Sequence, residues 1–102
     1  EDCLSLNVWT PKQARPDNGS MLPVLVFIHG GGLTMGHSSW ESFVPWTLAQ
    51  TDQVIVVSLN YRLGAFGWLA VDTPPSPAKG NFGLLDCIEA LRWVRRNIEA
   101  FG

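Results

Sequence analysis

The sequence predicts an α/β domain: a mixed, mostly parallel sheet with flanking helices. Three observations predict it. Two short β-branched runs, Val24-Leu25-Val26-Phe27-Ile28 and Val54-Ile55-Val56-Val57-Ser58-Leu59, read as strands covered on both faces. A helical segment separates them, as a parallel crossover requires. A long amphipathic helix then closes the chain.

Each element follows from local chemistry. Leu4, Leu6 and Val8 alternate with Ser5 and Asn7, so residues 3–10 read as a first strand, ended by Pro11. Residues 11–22 hold Pro16, Asp17, Asn18, Gly19 and Ser20, the chemistry of a surface turn. Pro23 opens the second strand, and Gly30-Gly31-Gly32 turn the backbone as soon as it ends. Ser38 and Ser39 can cap a helix beginning at Trp40 and Glu41, running weakly past Pro45 to Gln50. The third strand is 54–59. Residues 61–82 are a long connection rich in Gly and Pro, of a length that usually carries function. In 83–100, Leu84, Cys87, Ile88, Leu91, Val94, Ile98 and Phe101 recur every three or four residues, with Asn81 as the expected cap.

Composition narrows the function classes. The 102 residues suffice for one small domain, and 46% hydrophobic with 16% charged content marks a folded chain. Acids and bases are interspersed at a net charge of -2, which argues against a nucleic-acid surface. Arg92, Arg95 and Arg96 are offset by Glu89 and Glu99 on a solvated helix face. The longest apolar run, Val24 to Ile28, is far too short to cross a bilayer. There is no opening Met and no signal-like segment, and Gly102 follows a helix with no closing element. Both ends therefore read as cut from a larger domain. Cys87 falls on the apolar stripe and is expected as a buried free thiol, whereas Cys3 sits in a polar approach to the first strand. If Cys3 is oxidised, its partner is expected outside the chain.

The sharpest motif is Phe27-Ile28-His29-Gly30-Gly31-Gly32. A dinucleotide fingerprint starting at Gly30 needs glycine at 35, where Met35 stands, and there is no Walker loop. A plain bend is the default for three glycines taken alone. The third reading is an oxyanion hole. Glycine lets the peptide adopt positive φ and puts no side chain between an N–H donor and a substrate oxygen that gains charge. A His-Gly-Gly-Gly run after an early strand is the pattern of lipases and esterases.

Context favours this third reading. Glu1-Asp2-Cys3-Leu4-Ser5-Leu6-Asn7, Asn60-Tyr61-Arg62-Leu63-Gly64-Ala65-Phe66-Gly67 and Gly80-Asn81-Phe82-Gly83-Leu84-Leu85-Asp86 accompany the glycine run in order. Together they resemble the type-B carboxylesterase and cholinesterase family, whose fold is the α/β-hydrolase fold. The resemblance implies a partial domain, 1–102, ending before the nucleophile elbow. It implies hydrolysis of a small-molecule carboxylic ester by a serine of the parent protein, with no cofactor and no metal. The alternative is a cholinesterase-like adhesion protein that kept the fold and lost the chemistry.

By the same resemblance, Gly31 and Gly32 supply oxyanion donors, Gly30 makes the turn and His29 braces the loop. Leu33 stands where many members carry an aromatic residue. Arg62 and Asp86 match a structural salt bridge. Cys3 matches a disulfide cysteine whose mate lies upstream, which implies a secreted or lumenal protein. Cys87 departs from the family's usual polar residue. In this fold the triad runs serine, acid, histidine along the chain, so neither His29 nor His37 is the base. Gly36-His37-Ser38 begins a Gly-x-Ser-x-Gly elbow, but Trp40 occupies the last glycine position.

Overall fold

The computed structural model describes residues 2–12, 21–39, 45–51, 53–75 and 78–102. The predicted helix start at Trp40 and Glu41, and most of the turn in 11–22, lie outside these residues. Three strands form the main sheet: β1 (Leu6–Trp9), β2 (Val24–Ile28) and β3 (Ile55–Leu59). Their order is β1-β3-β2. β2 runs parallel to β3, with Val24 opposite Ile55 and Ile28 opposite Leu59, while β1 runs antiparallel, with Leu6 opposite Leu59. The sheet is thus mixed as expected, with one pairing of each kind.

Between β2 and β3, helix α1 (Pro45–Thr51) packs against β3 and β1. The connection after β3, expected as loop, contains helix α2 (Gly64–Trp68) and a small hairpin of β4 (Ala70–Val71) with β5 (Ala78–Lys79). Gly and Pro content conceals such short elements, since each rests on only a few backbone bonds. Helix α3 covers Phe82–Asn97 and tightens into a 3₁₀ turn over Ile98–Phe101. Asn81 stands at its N-cap but makes no side-chain cap bond; its φ of 59° instead swings the chain into the helix, and its carbonyl accepts the Leu85 N–H at 3.1 Å.

The core sits on β3, which is buried along its whole length. Ile55 and Val57 meet Val94 of α3 and Leu22, while Leu59 meets Tyr61 and Cys87. The period of two puts these residues on one face and Val56 and Ser58 on the other. Two expectations need correction. β2 is not covered on both faces: Val24, Leu25 and Ile28 are exposed, and among the described residues β2 also pairs with β3 alone. A short apolar run cannot distinguish a central strand from an edge strand. The stripe of α3 is likewise only partly covered. Cys87 and Val94 are buried, but Leu84, Ile88, Leu91 and Phe101 are exposed, since a narrower arc of the helix meets the sheet.

Cys87 is a buried free thiol, as its place on the stripe predicted. Burial, followed by the nearby Asp86 charge, pushes its pKa up, so it stays protonated and poorly nucleophilic. Iodoacetamide at neutral pH is therefore expected to leave Cys87 unlabelled in the folded protein and to label it fully in denaturant. Mass mapping reads both, and fast labelling under native conditions would contradict the packing.

Candidate functional site

The C-terminal end of β2 delivers His29 and the glycine loop. Gly30 keeps an ordinary φ, and a Cβ there would meet nothing within 4 Å. The turn assigned to Gly30 by resemblance therefore lies at the next three residues. Gly31, Gly32 and Leu33 have φ of 127°, 61° and 65°. Only glycine fits position 31, because a Cβ would stand 2.0 Å from the Met35 carbonyl oxygen. The loop then closes on itself. The Gly31 carbonyl accepts the Thr34 N–H, the Met35 N–H and the Thr34 hydroxyl, each at 3.2 Å.

His29 is 4% exposed. Its Nδ1 lies 2.9 Å from the Gly30 carbonyl oxygen. That oxygen has no proton to give, so Nδ1 carries the hydrogen and donates. Nε2 meets no partner among the described residues. The ring stacks on Tyr61 with centroids 4.6 Å apart and planes 18° from parallel. Gly36 passes close over this bond, since a Cβ there would stand 2.5 Å from both Nδ1 and the Gly30 oxygen.

These bonds orient two successive peptides. In a trans peptide, C=O and the following N–H point in opposite directions. The Gly30 carbonyl is turned toward His29, so the Gly31 N–H points away from that ring. The Gly31 carbonyl is turned into the loop, so the Gly32 N–H points out of it. Among the described residues neither N–H meets an acceptor. Among the described residues the loop thus leaves two successive backbone N–H groups without acceptors just past the end of β2.

A cleft of about 500 Å³ between the end of the loop and the segment after β3 is lined by Cys3, Thr34, His37, Tyr61, Leu63 and Phe66; neither Gly31 nor Gly32 lines it. Arg62 reaches from the loop after β3 to α3. Its Nε and Nη2 donate to Asp86 at 2.8 and 2.7 Å, and its backbone N–H donates to the same carboxylate at 3.0 Å. These bonds hold the Asp86 carboxyl below the usual carboxylate range. Asp86 is 7% exposed and Arg62 37%, and the guanidinium sits 5.4 Å from the centre of the Phe82 ring.

Cys3 is half-buried and forms no disulfide with Cys87. Among the described residues no cluster of ligands is suited to a metal, and no helix is long and apolar enough to cross a membrane. The sequence reading missed a polar network under the loop. The Asn7 amide donates to Ser38 Oγ at 3.0 Å and Ser58 Oγ at 3.3 Å, and Ser58 Oγ donates to the Ser38 carbonyl at 2.9 Å. Ser58 was the available signal, the one polar residue inside an apolar strand.

The family model that describes the carboxylesterase family matches residues 1–102. The chain belongs to the carboxylesterase family. Its three-stranded mixed sheet and helices form part of the α/β-hydrolase fold of that family. This carboxylesterase chain is 52% identical to an acetylcholinesterase of Danio rerio, over all of the chain and 16% of the relative. It is 47% identical to the pyrethroid hydrolase Ces2a of Mus musculus, over all of the chain and 17% of the relative. Against a probable N-octanoylanthranilate hydrolase of Rhodococcus erythropolis the identity is 48%, over all of the chain and 21% of the relative. The chain thus spans about a fifth or less of the length of these carboxylesterase relatives.

Proposed function

We propose that the chain is the oxyanion-loop portion of a serine carboxylesterase acting on small-molecule carboxylic esters. One observation carries the proposal: the Gly30 and Gly31 carbonyls are both engaged, while among the described residues the Gly31 and Gly32 N–H groups meet no acceptor. In the reaction, a serine hydroxyl supplied by the rest of the parent adds to the ester carbonyl carbon. Its proton passes to a histidine base, and the carbonyl π pair moves onto oxygen. The two glycine N–H groups stabilise that charge, aided by a third donor from the residue after the serine. Collapse expels the alcohol, which takes the proton from the base, and water then frees the acid by the same steps.

Other parts of the reading rest on family likeness. Cys3 pairs with a cysteine upstream, the parent is secreted or lumenal, and Arg62 with Asp86 is a structural brace. The intact glycine run favours an enzyme over a fold-only adhesion protein.

The test compares the full-length protein with the isolated 102 residues. The full-length protein is expected to hydrolyse a simple aryl ester and to lose that activity when a fluorophosphonate labels a serine. The isolated chain is expected to give no turnover, because no serine in it sits in a Gly-x-Ser-x-Gly elbow. A full-length protein that neither turns over nor takes the label would sink the proposal.

A further inference from the structure

The Asn60-Tyr61-Arg62-Leu63-Gly64 segment carries the Arg62 brace to Asp86. It also touches the glycine loop at three places. Tyr61 Oη donates to the His29 carbonyl at 2.9 Å, while its ring stacks on the His29 imidazole. The Gly64 N–H donates to the Leu33 carbonyl at 2.7 Å. Asn60 Oδ1 accepts the Ser38 N–H at 2.7 Å. The contacts therefore fall where the loop begins, where it turns and where it ends.

The first two contacts bear on the direction of a donor, and the third fixes the end of the loop at Ser38. His29 turns the Gly30 carbonyl, which sets the Gly31 N–H. Tyr61 holds His29 by its backbone and its ring at once, and burial raises the phenol pKa, so Oη stays a donor at neutral pH. Leu33 is held at a positive φ that a branched side chain resists, and the Gly64 bond fixes its carbonyl in that conformation. The clamp is itself anchored. The Asn60 N–H donates to the Ser5 carbonyl at 2.9 Å, Asn60 Nδ2 donates to Ser5 Oγ at 3.1 Å, and Arg62 grips Asp86. Loop direction is thus referred to Ser5, just before β1, and to α3 rather than left to the glycines.

We propose that Tyr61 and Asn60 are positioning residues of the oxyanion loop, acting through His29 and Ser38 to aim the Gly31 and Gly32 N–H groups. The proposal rests on the esterase reading. Neither residue touches substrate.

The experiment uses the full-length protein, with active sites counted by fluorophosphonate titration. Tyr61→Phe removes one hydroxyl and keeps the ring. It is expected to lower kcat about tenfold with little change in KM, less than the loss from removing a donor outright. Affinity for an aryl trifluoromethyl ketone should fall by the same factor, because its serine adduct places an oxyanion in the hole. Asn60→Ala should act in the same direction, and Asn60→Asp should recover most of the loss by restoring an acceptor for the Ser38 N–H. Should Tyr61→Phe not fold, the two Asn60 variants decide. Lower thermal stability with unchanged kcat and ketone affinity would overturn the proposal while leaving the esterase reading intact. A wild-type protein without ester hydrolysis would overturn both.

Discussion

On the proposed esterase function, Gly31→Ala is expected to lower kcat of the full-length protein by at least about a hundredfold, with KM changed little. The methyl carbon would stand 2.0 Å from the Met35 carbonyl oxygen and 2.7 Å from its carbon. That neighbour is backbone held in the same turn, so it cannot swing aside. The φ of 127° is moreover closed to an L side chain. Relief requires the Gly31 peptide to rotate, which breaks the bonds from Thr34 and Met35 to its carbonyl. Both proposed donors move with it. The loss falls on kcat because donors aimed at a forming oxyanion gain strength only as charge develops. Gly32→Ala is the graded comparison. Its Cβ would find Thr34 Oγ1 no closer than 4.0 Å, so only the left-handed φ of 61° opposes it, at about 1–2 kcal/mol. Steady-state kinetics per titrated site, with trifluoromethyl ketone affinity alongside, separates the two. Equal and small effects would mean that the loop is only a bend.

What the sequence made legible, and what it hid, divides along local and non-local physics. β3 and α3 were legible because a β-branched run and a repeat of three and four residues are properties of neighbours in the chain. The glycine loop was legible as a backbone turn because Gly30-Gly31-Gly32 is contiguous. Which glycine does what was not, since φ at 31 to 33 depends on bonds from Thr34 and Met35 and on the carbonyl of Leu33 reaching Gly64. The exposure of β2 was hidden because strand order is set by pairing across the fold. The clamp was hidden for the same reason. Tyr61 and Asn60 stood in a motif recognisable by resemblance, yet their partners His29 and Ser38 lie 32 and 22 residues away. Arg62 and Asp86, 24 residues apart, were paired only by family likeness. The hydrogen bonds found between them supply the physical reason for the match.

Those bonds give Asp86→Asn an expected stability loss of about 2 kcal/mol at pH 7. The carboxylate receives donors from the Arg62 backbone, Nε and Nη2. An amide of the same shape carries no charge and presents N–H groups where one oxygen accepted. The Arg62 head is partly solvated, which keeps the cost below that of a fully buried pair. The dependence on pH separates the ion pair from mere packing. Arg62 holds the Asp86 carboxyl below its ordinary value of 3.8, so the folded protein binds a proton there less readily than the unfolded chain. The stability from this group is complete above that ordinary value. It is lost as pH falls through 3.8 toward the lowered value of the folded state. The gap between wild type and Asp86→Asn should therefore stay constant from neutrality to about pH 5 and narrow below about pH 4. Glu89 is also held low, first by Arg96 and then by Arg92, but it is exposed and present in both proteins, so it cancels in the difference. Denaturant unfolding of both proteins at several pH values gives the gap directly. A gap that persisted unchanged into strong acid would assign the loss to shape and remove the charge from the account of how the loop after β3 is tied to α3.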